Sequence, residues 1–373
     1  MAGNYNFMHG MANSSLKKWF VGKLLSWNST DNQREMPWKG EKNPYRVWMS
    51  EIILQQTRVE QGRAYYERFI TQYPEVSSLA MAEDQSVFKL WEGLGYYSRC
   101  RNMLAAARRI HDKLDGKFPD KIEDIKALPG VGSYTAAAIA SFAYDQPHAV
   151  LDGNVFRVLS RFFDIEEPID TSAGKALFTK LSDALLPRTR SAEYNQAIMD
   201  FGATICKPRS PLCEECPLQE KCKALALGRT QQLPVKSRKA VRKDRFFNFL
   251  ILSCSGKVPV EKRIGKDIWE NLYQFPLVES QHVPNLGDWK IKPDENANCK
   301  KPAFLFQHVQ QLSHQNIHGR FFALECKPVE IPEGMQWVKI SELKTLPFPR
   351  MITRILADLT HDVPFAHCQF SEK

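Results

Sequence analysis

Apolar residues recur at helical spacing along the first 225 residues of the chain. Apolar positions three and four residues apart predict amphipathic helices. Such segments occupy 15–27, 45–57, 60–73, 85–91 and 98–114, and a further one, YNQAIMDFGATIC, ends at Cys206. Asn13 or Ser14 is available to cap the first helix, and Asn43 followed by Pro44 marks the start of the second. The pattern therefore predicts an all-α first domain.

The last third of the chain changes to β-rich sequence. Strands are predicted for FFNFLILS, KPAFLFQHVQQLSH and GRFFALEC, at 246–253, 301–314 and 319–326, and a terminal helix for 341–359. Residues 226–245 interrupt the helical pattern and concentrate basic residues between Lys236 and Arg245, so they are either a solvated connector or a segment that touches nucleic acid. We expect a multidomain chain with a helical domain at 1–225, a basic linker at 226–245 and an α/β or α+β domain at 246–373.

The positive net charge of the chain favours a polyanionic partner. The 373 residues carry a formal net charge of +9, which is typical of proteins that bind nucleic acid or an acidic membrane surface. No segment approaches the ~18 to 20 apolar residues of a membrane span, and the N-terminus lacks a signal-peptide pattern. We therefore expect an intracellular, cytoplasmic protein without a membrane partner.

Four of the nine cysteines are closely spaced, in the pattern C-x6-C-x2-C-x5-C. They are Cys206, Cys213, Cys216 and Cys222. An odd total, with the remaining cysteines scattered, argues against a disulfide framework and for reduced thiols with a metal site. Zinc is one candidate, although zinc sites usually pair two C-x2-C units across a longer gap. An iron–sulfur cluster is the other.

Two glycines precede an alanine-rich helical run in LPGVGSYTAAAIASF, residues 128–142. Gly130 and Gly132 allow backbone angles and close approaches that a side chain forbids. A helix that begins behind such a turn offers N–H groups and partial positive charge to a phosphate. The segment is thus either a phosphate-binding hairpin or an ordinary turn between helices.

Two carboxylic acids, Glu51 and Asp152, stand out by the residues that surround them in the sequence. Glu51 lies among isoleucines and leucine in SEIILQQT, where apolar surroundings would keep it protonated near neutral pH. The alternative is a surface glutamate on an amphipathic helix. Asp152 precedes an apolar helical run and is placed to cap it. At a helix start this carboxylate should keep a low pKa and stay charged.

These segments together resemble the helix-hairpin-helix superfamily of DNA glycosylases. The hairpin at 128–142, SEIILQQTRV, VLDGNV and the cysteine spacing carry the resemblance. Endonuclease III-like members have a lysine where this chain has Tyr134, and that lysine attacks the sugar. A phenol cannot form such an imine. The pattern is therefore that of the MutY-type adenine glycosylases, which remove a base without efficient strand cleavage.

The resemblance implies a role for each candidate. Glu51 would protonate the purine, Asp152 would stabilise the sugar cation, and Asn154 and Tyr134 would support them. The resemblance implies DNA contacts for Arg34, Gln55, Gln56, Thr57, Arg58, Gly130, Gly132 and Ser133. Within RxMPWK, which matches the segment lining the base pocket, Met36 and Lys39 depart from the family. The four cysteines would hold a 4Fe-4S cluster, which we interpret as architectural.

The C-terminal part resembles the Nudix-related domain of MutY proteins, which recognises 8-oxoguanine. The resemblance lies in RIGKDIWENLYQFP and in Leu312, Ser313 and His314. Leu312 replaces the usual phenylalanine, and the acidic magnesium-binding signature of Nudix hydrolases is missing. We expect a monomeric enzyme that excises adenine opposite 8-oxoguanine or guanine in duplex DNA. The alternatives are an endonuclease III-like pyrimidine glycosylase-lyase and a noncatalytic lesion-binding protein.

Overall fold

A computed structural model describes residues 15–237, 242–293, 301–325 and 329–356, and groups the chain into two units. The first unit comprises residues 1–81 and 102–239, and the second comprises 82–101 and 240–373. The suggested caps Asn13 and Ser14, part of the basic linker and the end of the predicted terminal helix lie outside the described residues. Within the described ranges, each helix is too short or too polar to cross a membrane.

Helices form the first unit. They are α1 (Ser15–Thr30), α2 (Pro44–Leu54), α3 (Val59–Gln72), α4 (Val76–Ala80), most of α6 (Tyr97–Lys113), α7 (Ile122–Lys126), α8 (Ser133–Tyr144), α9 (Gly153–Phe163), α10 (Ser172–Leu185), α11 (Ser191–Thr204) and the short α12 (Lys223–Ala226). Helix α5 (Asp84–Trp91) and the start of α6 group with the second unit. The core of the first unit joins α1, α9, α10 and α11 through the fully buried Phe20, Phe178 and Phe201 and their neighbours.

Helix α2 follows the sequence prediction closely at its start. The Asn43 side chain accepts hydrogen bonds from the backbone of Tyr45 and Arg46, at 3.0 and 3.3 Å, and Pro44 takes the first helical position. The end differs from the prediction, because the helix stops at Leu54 rather than continuing to residue 57. Gln56 has a φ of 57°, in the left-handed region, and this turn separates α2 from α3.

Strands dominate the second unit. They are β1 (Lys243–Ser253), β2 (Lys257–Lys262), β3 (Tyr273–Gln274), β4 (Leu277–Glu279), β5 (Lys292–Pro293), β6 (Ala303–Gln311), β7 (Gln315–Glu325), β8 (Val329–Glu330) and β9 (Met335–Lys339). The largest sheet has the order β4-β1-β7-β6, with β1 and β7 parallel and the outer pairs antiparallel. Strand β1 is buried on both faces from Phe247 to Leu252, as expected for a central strand with a parallel neighbour.

The three strands predicted from the β-rich segments are therefore confirmed as β1, β6 and β7. The predicted terminal helix is wrong in part. A 3₁₀ helix occupies Ile340–Thr345, and α13 (Arg350–Leu356) begins only after LPFP. Pro347 and Pro349 separate the two because a proline lacks the N–H that an interior helical position must donate.

Candidate active site

A cavity of about 1080 Å³ lies in the first unit, where α2 ends and where α8 and α9 begin. Most of the residues predicted from the sequence line it: Arg34, Glu51, Gln55, Gln56, Thr57, Gly130, Gly132, Ser133, Tyr134, Asp152 and Asn154. Arg58 is exposed at the start of α3 and does not line this cavity. Residues that are far apart in the sequence thus meet at one concave surface, as expected of a small-molecule or base pocket.

Glu51 is buried in α2, with only 7% of its surface exposed. The pKa of its carboxyl group is raised to about 7, mainly by burial and to a smaller extent by the nearby Asp152 charge, against a hydrogen bond from Tyr134 that lowers it. The surface alternative for this glutamate is therefore wrong. A carboxylic acid with this pKa keeps a large protonated fraction at neutral pH and can donate a proton.

Asp152 caps α9, as predicted. One carboxylate oxygen accepts the Val155 N–H at 2.7 Å, and the other accepts the Asn154 side-chain amide at 2.7 Å. The expected low pKa is wrong in direction. Burial raises the pKa of Asp152 above its ordinary value, because desolvation outweighs these hydrogen bonds and the Arg157 charge. The donors aimed at the carboxylate still favour its ionised form.

Tyr134 connects the two acids. It lies in the first turn of α8, and its hydroxyl donates a hydrogen bond to Glu51. Burial and the adjacent carboxylates of Glu51 and Asp152 raise the pKa of the phenol well above its ordinary value. Tyr134 therefore serves as a neutral hydrogen-bond donor to Glu51 at this site.

The hairpin glycines differ from each other. Gly130 has a φ of 75°, and a Cβ there would lie 2.6 Å from Asn102 Cβ, so both backbone angle and space require glycine. Gly132 caps α8 with an extended φ of −87° and has open space around the position of a Cβ. The prediction of unusual backbone angles therefore holds for Gly130 and is wrong for Gly132. The open side of Gly132 leaves room for an incoming ligand.

Arg157 was not singled out from the sequence, yet it links the acid site to the cysteine loop. Its guanidinium is buried in α9 and donates to Asn154 Oδ1 at 2.7 Å and to the carbonyls of Gly202 and Cys206 at 2.6 and 2.7 Å. Because Asn154 donates to Asp152, one chain of hydrogen bonds runs from the Cys206 backbone to the carboxylate. An arginine within an apolar helical run was the only sequence signal for this role.

Asp200 is a second residue that the sequence analysis missed. Its side chain is fully buried in α11 and accepts from Arg34 at 2.7 Å and Asn32 at 2.9 Å, with Lys39 Nζ at 3.4 Å. Lys39 also donates to the Arg34 carbonyl at 3.0 Å. Gln55 is positioned in a similar way by a 3.3 Å hydrogen bond to Thr135. A carboxylate paired with residues more than 150 positions away has no local sequence signal.

The four closely spaced cysteines line one small cavity after α11. None forms a disulfide. Arg161 is buried beside them and donates to Cys206 Sγ at 3.4 Å and to the carbonyls of Lys207 and Pro208 at 2.7 and 3.1 Å. Thiols are strong ligands for iron and zinc, and an N–H donor directed at a ligating sulfur tunes such a site. The loop therefore has the ligands and the supporting contacts of a metal centre.

Ser313 and His314 lie in the second unit, in the turn between β6 and β7. Both are exposed, and Ser313 Oγ lies 3.1 Å from His314 Nδ1. Backbone hydrogen bonds fix the turn, from Leu312 N to the Gln315 carbonyl at 2.7 Å and from Lys243 N to the His314 carbonyl at 3.0 Å. The turn thus presents a hydroxyl and an imidazole from a backbone that is held in place by hydrogen bonds.

Family models match most of the chain. The model of the HhH-GPD superfamily of base excision DNA repair proteins matches residues 49–182. That of the iron–sulfur binding domain of endonuclease III matches residues 206–222, and that of the Nudix domain matches residues 248–358. The first match contains the acid pair, and the second begins and ends at cysteines of the loop.

Several relatives and solved structures are similar to this chain. The adenine DNA glycosylase of Buchnera aphidicola subsp. Baizongia pistaciae is 32% identical over 345 residues, covering 91% of this chain and 96% of that protein. That of Schizosaccharomyces pombe is 41% identical over 359 residues, covering 80% and 77%. The solved structure of a thermostable thymine-DNA glycosylase superposes with a TM-score of 0.53 at 28% identity, covering 57% of this chain and 97% of that one.

Proposed function

Since the chain belongs to the adenine DNA glycosylases, within the HhH-GPD superfamily of base excision DNA repair proteins, we propose that it hydrolyses the N-glycosidic bond of adenine mispaired with 8-oxoguanine or guanine in duplex DNA. The observation that carries this proposal is the meeting of Glu51 and Asp152 in one cavity, where they differ in surroundings and in hydrogen-bond partners. We further propose that the enzyme acts as a monomer on chromosomal DNA in the cytoplasm.

Glu51 supplies the acid in this mechanism. Adenine is a poor leaving group until a ring nitrogen is protonated, and a group with a pKa of about 7 is well matched to that step at neutral pH. The target base must leave the helical stack to reach the cavity, as in other enzymes that act on a base. Arg34 and Lys39, held by Asp200, line the same cavity and would contact the extruded base.

Asp152 supplies the anion. As the bond to adenine breaks, the sugar develops oxocarbenium character, which a nearby carboxylate stabilises. The hydrogen bonds from Asn154 and from the Val155 backbone hold the carboxylate in place and favour its charged form. Water then attacks the sugar, and Glu51, deprotonated after the first step, serves as the base that accepts its proton.

The absence of the sugar-attacking lysine at position 134, and the pairing of the two cavity lysines Lys39 and Lys42, favour hydrolysis without strand cleavage. Tyr134 lies where the sugar-attacking lysine of endonuclease III-like enzymes would be, and a phenol forms no imine. Lys39 is engaged by Asp200 and the Arg34 carbonyl, and Lys42 pairs with Asp145 at 2.8 Å. We therefore favour a monofunctional glycosylase over the pyrimidine glycosylase-lyase.

The cysteine loop fits a 4Fe-4S cluster. Four thiols line one cavity, in the uneven spacing C-x6-C-x2-C-x5-C, and residues 206–222 match the iron–sulfur binding domain of endonuclease III. This spacing favours a cluster over zinc, whose sites usually pair two C-x2-C units across a longer gap. Cys206, Cys213, Cys216 and Cys222 would hold it, and its role would be to order the loop.

The remaining residues would contact the DNA. Gln55, Gln56 and Thr57 would enter the duplex where the base has left, and Arg58, Gly130, Gly132 and Ser133 would contact its backbone. Exposure of Arg58 and the open side of Gly132 support this assignment. Ser313 and His314 would hydrogen-bond to 8-oxoguanine, which carries a C8 carbonyl and an N7–H that guanine lacks.

The test is base release from four labelled duplexes, with adenine opposite 8-oxoguanine, guanine or thymine, and with thymine glycol opposite adenine. We expect alkali-sensitive sites with the first two and little borohydride trapping of protein on any duplex. Strong trapping on thymine glycol would establish the lyase alternative. Binding without base release, by both the wild type and Glu51→Gln, would establish a noncatalytic lesion-binding protein.

A further inference from the structure

The loop between β2 and β3, residues 263–272, is tightly anchored at its base. Arg263 N donates to the Leu272 carbonyl at 2.8 Å, and Asn271 N donates to the Arg263 carbonyl at 2.9 Å, so the two ends of the loop are joined. Trp269 is buried, with its ring edge-on to Phe247 at 5.7 Å between centroids. The loop is therefore fixed by its own hydrogen bonds and by the core of the second unit.

The outer end of this loop is formed by Ile264, Gly265 and Lys266, which we name the 264–266 tip. Ile264 is 89% exposed, more than any other large apolar side chain among the described residues. Gly265 has a φ of 117°, which other residues rarely adopt, and Lys266 is exposed. A single exposed apolar residue is ordinary by itself, so the proposal depends on what surrounds the tip.

One arginine connects the tip to the turn that carries Ser313 and His314. The Arg245 guanidinium forms two-pronged hydrogen bonds with Asp267, at 2.7 and 2.9 Å, and with Glu279, at 2.7 Å each. It also donates to the Gln315 side chain at 3.4 Å. Asp267 follows the tip directly, and Gln315 follows the turn directly. The tip and the turn therefore share one rigid support at the same end of the sheet.

The charge around this support is basic. Its acidic groups all have partners: Arg245 pairs with Asp267 and Glu279, Arg263 also pairs with Asp267 at 2.8 Å, and Asp244 lies 2.8 Å from His318 Nε2. The exposed basic residues nearby have no salt-bridge partner within the described ranges: Arg242, Lys243, Lys262 and Lys266. This surface is complementary to a polyanion, and it is continuous with the turn proposed to read the lesion.

We propose that the 264–266 tip is a second DNA-contacting element of the second unit, beside the turn at 312–314. Lys266 contacts a phosphate, and Ile264 packs against sugar or base edges in the groove. Ile264 thereby adds apolar contact next to Leu312, which is smaller than the phenylalanine usual in the family. This inference rests on the proposed function, because the turn has its place at the DNA only if the lesion is read there.

Binding of the full-length chain to a duplex with adenine opposite 8-oxoguanine tests the proposal, in a Glu51→Gln background that prevents turnover. Ile264→Ala should weaken binding about fivefold with an unchanged salt dependence, because it removes apolar contact only. Lys266→Ala should reduce the slope of log K against log salt by about 1, because it removes one phosphate contact. Phe304→Ala is the control, since Phe304 is 57% exposed but lies at the far end of β6 from the turn.

A photoreactive benzophenone amino acid at position 264 gives a direct measurement. Irradiation of the complex should crosslink protein to DNA from position 264 and not from position 304. Wild-type affinity of the Ile264→Ala and Lys266→Ala variants, with no crosslink, would overturn the proposal. Adenine release by the unmodified enzyme is measured alongside, so failure of the tip and failure of the proposed function give different results.

Discussion

Arg157 and Asn154 are joined by a 2.7 Å hydrogen bond from the guanidinium of the arginine to the amide oxygen of the asparagine. This bond fixes which way the Asn154 amide points, so its nitrogen faces Asp152. Gly202 makes the geometry possible, because a Cβ there would lie 2.7 Å from Asn154 Cβ. The anion of the proposed mechanism is thus oriented by Asn154, whose own position is set by Arg157 and Gly202, two residues that do not line the cavity.

The first prediction concerns this orientation. Arg157→Lys keeps the positive charge but loses the planar guanidinium, which donates to Asn154 and to two backbone carbonyls at the same time. The single-turnover rate of adenine release should therefore fall about 10- to 100-fold. Asn154→Ala should lower the single-turnover rate of adenine release by a similar factor. The double variant should be little slower than either single variant, because Arg157 acts through Asn154. Additive losses, or loss of iron from Arg157→Lys, would instead assign the arginine to the cysteine loop.

A second prediction concerns pH. Glu51 must be protonated to act, so the single-turnover rate should fall as pH rises through about 7. The Tyr134 hydrogen bond favours ionised Glu51 and lowers its pKa. Tyr134→Phe should therefore move the fall in rate to higher pH, whatever it does to the maximum rate. A shift to lower pH would contradict the assignment of Glu51 as the acid.

The third prediction concerns stability. Folding raises the pKa of Glu51 from the ordinary glutamate value of 4.5 to about 7, so the folded state binds an extra proton between these values and loses stability as pH rises through them. Glu51→Gln removes the buried charge. It should be more stable than the wild type by about 3 kcal/mol above pH 7, with no such gain below pH 4.5. Urea denaturation at pH 8 measures this difference.

Glu67→Gln is the matched control for that experiment. Glu67 is exposed on α3, so neutralising it should leave the free energy of unfolding almost unchanged at both pH values. Equal gains for Glu51→Gln and Glu67→Gln would show that net charge, rather than the burial of Glu51, is responsible. A catalytic residue whose removal stabilises the fold is a known consequence of building an active site.

Local sequence signals account for the parts of the structure that were predicted correctly. Asn43 with Pro44 and Asp152 before an apolar run are capping patterns that act within three residues, and both caps are present. The change from helical to strand-rich structure and the family resemblance, carried by contiguous motifs, are confirmed by the fold and the comparisons.

Features that depend on distant contacts were not predictable in this way. Asp200 pairs with Arg34, which lies 166 positions away in the sequence, so no local sequence pattern predicts the pair. The pKa of Asp152 was predicted in the wrong direction because capping is local, whereas desolvation depends on how the whole cavity closes around the carboxylate. The predicted extension of α2 beyond Leu54 failed because Gln56 turns the backbone towards α3.

The fourth prediction concerns the metal. The purified chain should contain about four irons and about four acid-labile sulfides, and little zinc. Cys213→Ser should lose iron and visible absorbance together, while Cys254→Ser, outside the loop, should lose neither. Stoichiometric zinc without sulfide would contradict the cluster. Because the Cys206 carbonyl accepts from Arg157, loss of the cluster should also slow adenine release by folded protein.

The fifth prediction concerns the lesion. Ser313 Oγ and His314 Nδ1 are 3.1 Å apart in a turn fixed by its backbone, so together they present a donor and an acceptor in a set geometry. If they bind the N7–H or C8 carbonyl of 8-oxoguanine, the double variant Ser313→Ala with His314→Ala should lower the preference for 8-oxoguanine over guanine about 10-fold. The rate with adenine opposite guanine should barely change.

The comparison of two duplexes separates recognition from stability. A destabilised protein would lose activity on both duplexes equally, whereas loss of a lesion contact changes only their ratio. Gln311→Ala, at the exposed end of β6 next to the turn, is the control and should keep the wild-type ratio. An unchanged ratio in the double variant would mean that 8-oxoguanine is distinguished elsewhere. The acid pair would then remain as proposed, because adenine release depends on Glu51 and Asp152 rather than on this turn.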